Sequence, residues 1–483
     1  MENINSNNSA DSISYNRILW PIYFLNGFQS IAWGGIIFLI VPISRIMWPT
    51  EPTHALEMGI LIAVLSWSAS VSGLAFGHLI DKYSRKKIIV IISIFRGLAI
   101  VMLGFALEGG GSSSWIYFLV FISIFGMFAG LSWPAVISLS NDIVPKAFRS
   151  RFFGVYEIVR SLTMTFGFLI GAFLVQNGLW RQYFWGTGLG ILICALIFAI
   201  HNDEPKRGAQ QEELLHILKK KDVNYDFKIN RETMLKTMLS KTNKVALIEG
   251  IFTQILMGSI NFLILNLIQN EPHNISEFST SIFMITFGLT GGIVGQLLLA
   301  RLSDKLAKDR PIIRIPIIIV AIIGGLFTFI LFFFIPWPHL TIEQGKNVAF
   351  LMALPIIWLM GSLFFSSRSI FSLYMVNQSP LLQEINLPEA QGQIVSWNQF
   401  LENFGRGMGP LLSGILLAMT SMNYQSTILI IALCILPGVI LWGFAIKWFP
   451  SDAYNIREIL KGRADILESN EGVSSPSDHQ IKP

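Results

Sequence analysis

Apolar segments of membrane-spanning length recur along the whole chain of 483 residues. The residues are 52% hydrophobic and only 13% charged, which is far more apolar than a soluble chain of this length needs to fill its core. An α-helix needs about 20 mostly apolar residues to cross a bilayer. We place twelve such spans at 18–41, 57–79, 88–107, 115–139, 152–175, 182–200, 245–268, 279–300, 312–335, 348–374, 394–419 and 426–448. The sequence therefore predicts an all-α membrane protein with twelve transmembrane helices.

Lysine and arginine are distributed unevenly among the loops between these spans. With the amino terminus inside the cell, Arg45, Arg181 and Lys346 are the basic residues that fall in outer loops, out of 35 in the chain. Loops rich in Lys and Arg stay on the cytoplasmic side of a membrane. We therefore predict a protein of the cell membrane whose amino and carboxyl termini are both cytoplasmic. The net charge of +5 follows this topology and does not indicate a nucleic-acid partner.

The loop after the second span carries the most distinctive motif. It reads GLAFGHLIDKYSRKKII over residues 73–89, with Gly77 four residues before Asp81 and Arg85 opening a basic cluster. The pattern G-x-x-x-D-x-x-x-R-K resembles the signature between helices 2 and 3 of the major facilitator superfamily, a family of secondary transporters. It departs at Ser84, where the family usually has a second glycine.

A weaker copy of this motif follows in the second half of the chain. ARLSDKLAKDR places Ala300, Asp304 and Lys305 at the same offset of 223 from Gly77, Asp81 and Lys82. The repeat and the resemblance imply two six-helix halves in the same orientation, with a central site between them. The predicted organisation is a tail at 1–16, a bundle at 17–203, a central loop at 204–243, a second bundle at 244–449 and a tail at 450–483.

The resemblance also implies gating residues at the cytoplasmic side. Asp81 would face the start of span 11, and Arg85 would pair with Asp142 at the end of span 4. Such a charge-assisted pair survives only while the helix ends stay together, so it can act as a latch. The alternative is that these basic residues only orient the protein. Gly77 and Asp304 complete the predicted gating set.

Ionisable residues inside predicted spans are the next functional signal. A charge at bilayer depth costs about 2.5–3.5 kcal/mol on insertion scales, so such residues often mark a transport path. Six qualify: Arg96, Glu157, Arg160, Arg368, Glu402 and Arg406. Glu157 with Arg160, and Glu402 with Arg406, each share one helix face.

These ionisable residues suggest specific roles. We take Arg160 and Arg368 as candidates for binding a substrate that carries negative charge or a strong acceptor. If transport is coupled to protons, Glu157 or Glu402 is the candidate carrier. Each Glu–Arg pair can also simply neutralise itself.

Polar side chains surround these charges on the helices that line the cavity in the family. They are Asn26, Gln29 and Trp33 on span 1, Gln254 and Asn261 on span 7, and Asn398 on span 11. As a set they predict a small polar or amphipathic substrate. Amides in membrane helices also hydrogen-bond to neighbouring helices, which is the alternative for any one of them.

Several classes of chemistry have no motif in this sequence. It has no phosphate-binding glycine loop and no nucleophile elbow, its seven histidines lie in loops, in tails or at a helix end, and its two cysteines lie inside apolar segments. We therefore expect no metal, no cofactor and no enzymatic activity. The sequence predicts a monomeric secondary transporter in the lipid bilayer that moves a small organic solute by alternating access, with proton coupling left open. The alternative is a transporter-like receptor or sensor without flux.

Overall fold

The structure is a computed structural model that describes residues 2–51, 53–76, 83–144, 146–204, 234, 237–387 and 390–473. Regular structure in these ranges is helical throughout. The first half contains α1 (Glu2–Phe38), α2 (Ile40–Met47), α3 (Ala55–Phe76), α4 (Arg85–Leu103), α5 (Gly111–Ile143), α6 (Lys146–Gln176) and α7 (Trp180–His201). The second half contains α8 (Lys241–Gln269), α9 (Glu277–Ala307), α10 (Arg314–Phe334), α11 (Ile342–Lys346), α12 (Val348–Ala353), α13 (Pro355–Glu384), α14 (Gln391–Met419) and α15 (Tyr424–Val473).

The prediction of an all-α membrane protein is confirmed. Among the described residues, nine helices are long and apolar enough to cross a membrane, and ten if α1 and α2 together form one bent span. Helices α4 and α14, of 19 and 29 residues, also have membrane-spanning length but contain more polar side chains. Counting these two gives the twelve predicted spans; that α4 and α14 also cross the bilayer stays a prediction.

Two prolines explain where the helices depart from the predicted spans. The first span is bent by 67° between α1 and α2. Pro42 has no N–H to donate to Phe38, four residues earlier, so the regular ladder of α1 ends there. Span 10 begins later than predicted because Pro355 occupies the first turn of α13, where its missing N–H costs nothing.

The last helix is longer than its predicted span. Helix α15 runs for 50 residues and continues through Pro450, where the sequence predicts that a tail begins. Beyond that point Ile456 packs against Met238, Leu387 and Ile394 in a small apolar cluster. The start of the predicted tail is therefore part of the folded second half.

The two halves pack their helices in the same pattern. In the first half α1 contacts α6 and α7, α3 contacts α5, and α4 contacts α5 and α7. In the second half α8 contacts α14 and α15, α9 contacts α13, and α10 contacts α13 and α15. Each helix of the first set matches the helix six spans later, so the predicted parallel repeat is confirmed.

Among the described residues, the halves meet mainly through two helix pairs, α3 with α14 and α6 with α9. We call the end with loops 48–54, 104–110 and 270–276 the outer end, following the predicted orientation, and the opposite end the inner end. Helices α3 and α14 pack closely, since a Cβ on Gly59 would lie 2.4 Å from the Pro410 carbonyl oxygen. Helix α6 meets α9 mainly at Glu277–Phe283, near the outer end.

At the inner end, Glu204 fixes the start of α4. Its carboxylate accepts hydrogen bonds from the Ser84 hydroxyl at 2.7 Å and from the backbone N–H groups of Arg85 and Lys86 at 3.0 and 2.7 Å. Arg85 Nε also donates to it at 3.1 Å. Partial burial opposes ionisation of Glu204, but these hydrogen bonds outweigh it and lower the pKa of the carboxyl. An anion at a helix N-terminus is also favoured by the helix dipole.

We expect Glu204→Gln to destabilise the protein in a pH-dependent way. Because the folded-state pKa is lowered, the wild-type advantage is full above the unfolded-state pKa of about 4.3 and disappears as pH falls through the folded-state pKa. After allowance for solvent screening the advantage is about 0.3–1 kcal/mol at neutral pH. Unfolding of the purified protein in detergent at several pH values measures it. Asp203→Asn, which neutralises a neighbouring exposed carboxylate, is the control.

Candidate binding site between the halves

Arg406 on helix α14 forms no ion pair with a carboxylate in the described part of the chain. Arg406 is exposed and donates from Nε and Nη2 to Gln254 Oε1 on α8, at 3.2 and 3.1 Å. Its charge lies within electrostatic range of Glu402 on the same helix and of Arg160 on α6. Arg406 and Arg160 therefore approach each other from opposite halves. Like charges brought this close favour an anion between them.

A second cation of the C-terminal half is similarly held by neutral groups. Arg368 on α13 donates to Asn261 Oδ1 on α8, and its guanidinium lies 5.1 Å from the centre of the Phe364 ring. Within the described ranges it forms no ion pair. The predicted site residues Gln254 and Asn261 thus each orient one arginine.

The predicted pair on α6 is formed and remains accessible. Arg160 contacts Glu157 Oε2 through Nε at 2.8 Å and Nη2 at 2.7 Å. The two side chains are 51% and 44% exposed. This pair neutralises itself, but it is not buried, so either member can exchange its partner for a ligand or for water.

Glu402 lies deeper than Glu157. It is 9% exposed, and it accepts a hydrogen bond from Asn398 Nδ2 at 2.8 Å. Asn398 Oδ1 in turn accepts from Gln378 Nε2 on α13 at 3.4 Å. Asn398 therefore orients the carboxylate from within α14, and Gln378 connects it to the neighbouring helix.

Sequence analysis missed a buried carboxyl group. Glu249, on α8, is 0% exposed and accepts hydrogen bonds from the Thr253 hydroxyl and, at 3.1 Å, from the Tyr374 hydroxyl on α13. Its position inside the predicted span 245–268 was the available signal. That position is close to the predicted start of the span, where a glutamate would ordinarily reach water.

The polar residues predicted on span 1 lie inside the N-terminal half. Asn26 Nδ2 donates to the Tyr156 carbonyl at 3.0 Å, and Gln29 bonds to Ser93 at 3.0 Å and accepts from Arg96 Nη1 at 2.5 Å. Asn26 and Gln29 line a cavity of about 10 Å³, which is at the lower limit for one water molecule. Both amides thus have partners within their own half.

Arg96 and Trp33 complete this interior of the N-terminal half. Arg96 also donates to Ser132 Oγ at 2.9 Å, and its guanidinium lies 4.7 Å from the centre of the Phe125 ring. The Trp33 ring is 6.0 Å from the same phenylalanine. Amide, hydroxyl and aromatic groups therefore stabilise this buried cation.

Among the predicted gating residues, the structure describes the side chains of Asp304 and Arg85. Asp304 forms an ion pair with Arg314 at 2.9 Å, and Arg314 also donates to Asn377 at 2.9 Å, so these contacts stay within the C-terminal half. Arg85 is held by Glu204 within the N-terminal half. Gly77, Asp81 and the side chain of Asp142 lie outside the described residues, so their gating roles stay predictions.

The outer end carries an inter-half contact that was not predicted. Arg45 on α2 forms an ion pair with Glu277 at 3.0 Å and donates to the Gln269 carbonyl oxygen. Thr53 donates to Asn270 Oδ1 at 2.6 Å. We call these residues the outer contact. An arginine at the C-terminus of α8 and a glutamate in the first turn of α9 both suit the helix dipoles.

A bundle of membrane-length helices in two similarly packed halves defines a multi-pass membrane protein. The family model described as Major Facilitator Superfamily matches residues 19–380, and the chain belongs to that family. The resemblance noted in the loop motif is thereby confirmed.

Known relatives agree with the fold. A Na⁺, Li⁺, K⁺/H⁺ antiporter of Planococcus maritimus is 27% identical over 137 residues, which is 28% of this chain and 32% of the antiporter. The match thus spans about a third of that relative's length. A solved bacterial homologue of the human lysosomal transporter Spinster, inward-facing and unoccupied, has a TM-score of 0.67 at 14% identity, with 91% and 98% of the two chains covered. The nucleoside transporter NupG has a TM-score of 0.62 at 15% identity, with 89% and 99% covered.

We expect Arg45→Gln to loosen the outer contact. The substitution removes the charge that joins Glu277 to the end of α8. A loss of about 1 kcal/mol would change the ratio of outer-closed to outer-open molecules about fivefold. Distances between spin labels at Gln182 and Ile342, measured in lipid nanodiscs, should shift toward longer values. Arg181→Gln breaks an ion pair with Glu108 inside one half and should leave the distances unchanged.

Proposed function

We propose that this protein is a secondary active transporter that moves a small organic anion by alternating access. The observation that carries the proposal is a set of three arginines, one in the N-terminal half and two in the C-terminal half. Arg368 and Arg406 are held by amides and not by carboxylates, and Arg160 approaches Arg406 from the other half. Fixed cations in a low-dielectric cavity are best satisfied by an anionic ligand.

Closure at one end supports the alternating-access part of the proposal. The outer contact and the ring contact between Phe173 and Phe278, with centroids 5.9 Å apart, bring the halves together at the outer end. Among the described residues, helices α6 and α9 also meet mainly there, at Glu277–Phe283. A cycle in which the outer contact breaks and an inner contact forms would expose the arginines to each side in turn.

Proton coupling is the second part of the proposal. Glu402 is nearly buried and lies one helical turn from Arg406, so its protonation state and the occupancy of Arg406 affect each other. Glu157 is the other candidate carrier. The activity named for the Planococcus maritimus relative includes H⁺, which is compatible with coupling. The three arginines favour an anion here over the metal cations named for that relative.

The proposal includes the oligomeric state and the membrane location of the protein. The protein would act as a monomer in the plasma membrane with both termini in the cytoplasm, in agreement with the placement of Lys and Arg in the loops. It would act without a cofactor and without changing its substrate chemically.

Uptake into proteoliposomes tests this function. We expect accumulation of at least one member of a labelled panel of carboxylates, phosphate esters and sulfonates, and none of a matched panel of neutral and cationic solutes. An imposed pH gradient should change the amount accumulated. Binding of a panel member in a thermal-shift assay without any uptake would instead indicate a receptor or sensor. Uptake restricted to cations or neutral solutes would contradict the anion proposal.

We expect Arg160→Gln and Arg368→Gln each to weaken binding of the transported anion about 10- to 100-fold. A hydrogen bond to a charged group contributes about 1.5–3 kcal/mol, and each 1.4 kcal/mol is a factor of ten. Binding isotherms of the purified variants measure the change. Arg301→Gln, which removes an exposed arginine of α9 at the inner end, is the control and should bind normally. Unchanged affinity in both test variants would remove these residues from the binding site.

A further inference from the structure

We propose that Glu249 and Glu402 form a carboxyl pair that binds the co-transported proton, and that an anion bound at Arg406 favours loading of this pair. The inference rests on the proposed function, since it needs an anionic substrate. It assigns a role to the buried carboxyl group of α8 and gives the coupling a direction. Anion and proton should cross the membrane together, as symport.

The surroundings of Glu249 are neutral. Its own helix contributes the Thr253 hydroxyl, and α13 contributes the Tyr374 hydroxyl at 3.1 Å. Helix α15 contributes Gly438, on which a Cβ would lie 3.4 Å from Glu249 Cγ, and the buried indole of Trp442 nearby. No described lysine or arginine forms an ion pair with this carboxyl.

The titratable groups that face Glu249 are Tyr374 on α13 and Glu402 on α14. Neither can supply positive charge. A buried carboxylate without a cation is far more costly than the protonated acid, which is neutral and can still hydrogen-bond to hydroxyl groups. The surroundings of Glu249 therefore suit a carboxyl group that holds a proton.

Close packing connects the region of Glu249 to Glu402. The next residue is Gly250, and a Cβ there would lie 3.3 Å from Glu402 Cγ, so α8 and α14 approach closely at this level. Glu402 lies within electrostatic range of Glu249 on one side and of Arg406 on the other. Two ionised carboxylates that interact in this way repel each other, and the repulsion is relieved when one proton is bound to the pair.

The direction of coupling follows from Arg406. While its site is empty, its positive charge stabilises the ionised form of Glu402. An anion bound at Arg406 cancels that charge, so the carboxyl pair takes a proton from water and forms one O–H bond. By linkage, a bound proton strengthens anion binding by the same factor by which a bound anion strengthens proton binding. Glu157 is less suited to this role because it is 44% exposed and its charge is matched directly by Arg160.

Infrared spectroscopy of the purified full-length protein tests the assignment without any substrate. At neutral pH the wild type should show the C=O stretching band of a protonated carboxyl group, and Glu249→Gln should remove it. Glu343→Gln, which replaces an exposed glutamate at the outer end, should leave the band unchanged. Tyr374→Phe keeps the carboxyl group and should shift the band, because one hydroxyl donor is lost. A band unaffected by both Glu249→Gln and Tyr374→Phe would overturn the proposal.

Transport assays with the panel anion that is taken up test the coupling. Glu249→Gln should lose accumulation driven by a pH gradient and keep counterflow exchange, which needs no net proton movement. Retained pH-driven accumulation would overturn the role of Glu249, and so would loss of counterflow in a variant that binds the anion normally. If no panel anion is taken up, the proposed function fails, while the infrared result still decides whether Glu249 holds a proton.

Discussion

The cost of placing charge in a low-dielectric interior governs the arrangement of this protein. Each ionised group between the helices must meet a counter-charge, a dipole, an aromatic face or water. The N-terminal half satisfies Arg96 with an amide, hydroxyls and a ring inside its own core. The C-terminal half instead uses single amides to hold Arg368 and Arg406. Neutral groups thus hold arginine side chains in both halves, and none of these three arginines forms an ion pair among the described residues.

The two halves therefore pack their helices in the same way but carry different charged side chains. Equivalent helices meet equivalent neighbours, which fixes the frame, but the side chains at corresponding depths differ. The buried cation Arg96 lies in the N-terminal half, and the buried carboxyl group of Glu249 lies in the C-terminal half.

The helical frame and one local ion pair could be predicted from the sequence. Hydropathy located the helices, since twenty apolar residues in a row have few alternative structures, and Pro42 and Pro355 explain the shifted boundaries. The pair Glu157–Arg160 is formed as expected, because it depends only on helical spacing. The partners of Arg406 and Arg45 could not be predicted. They depend on how each helix is rotated about its axis and on contacts 152 and 232 residues apart in sequence.

The anchoring of the central connection has a consequence for how the halves stay together. Its first residues are tied to α4 through Glu204, and its end is tied within the C-terminal half, where Asn243 and Asn386 exchange hydrogen bonds at 2.8 Å and Thr242 bonds to Asp452. Neither anchor crosses from one half to the other. Between these anchors, the covalent link keeps the two halves at high effective concentration. The described contacts between the halves are made by the helices, so two separately expressed half-chains would retain them.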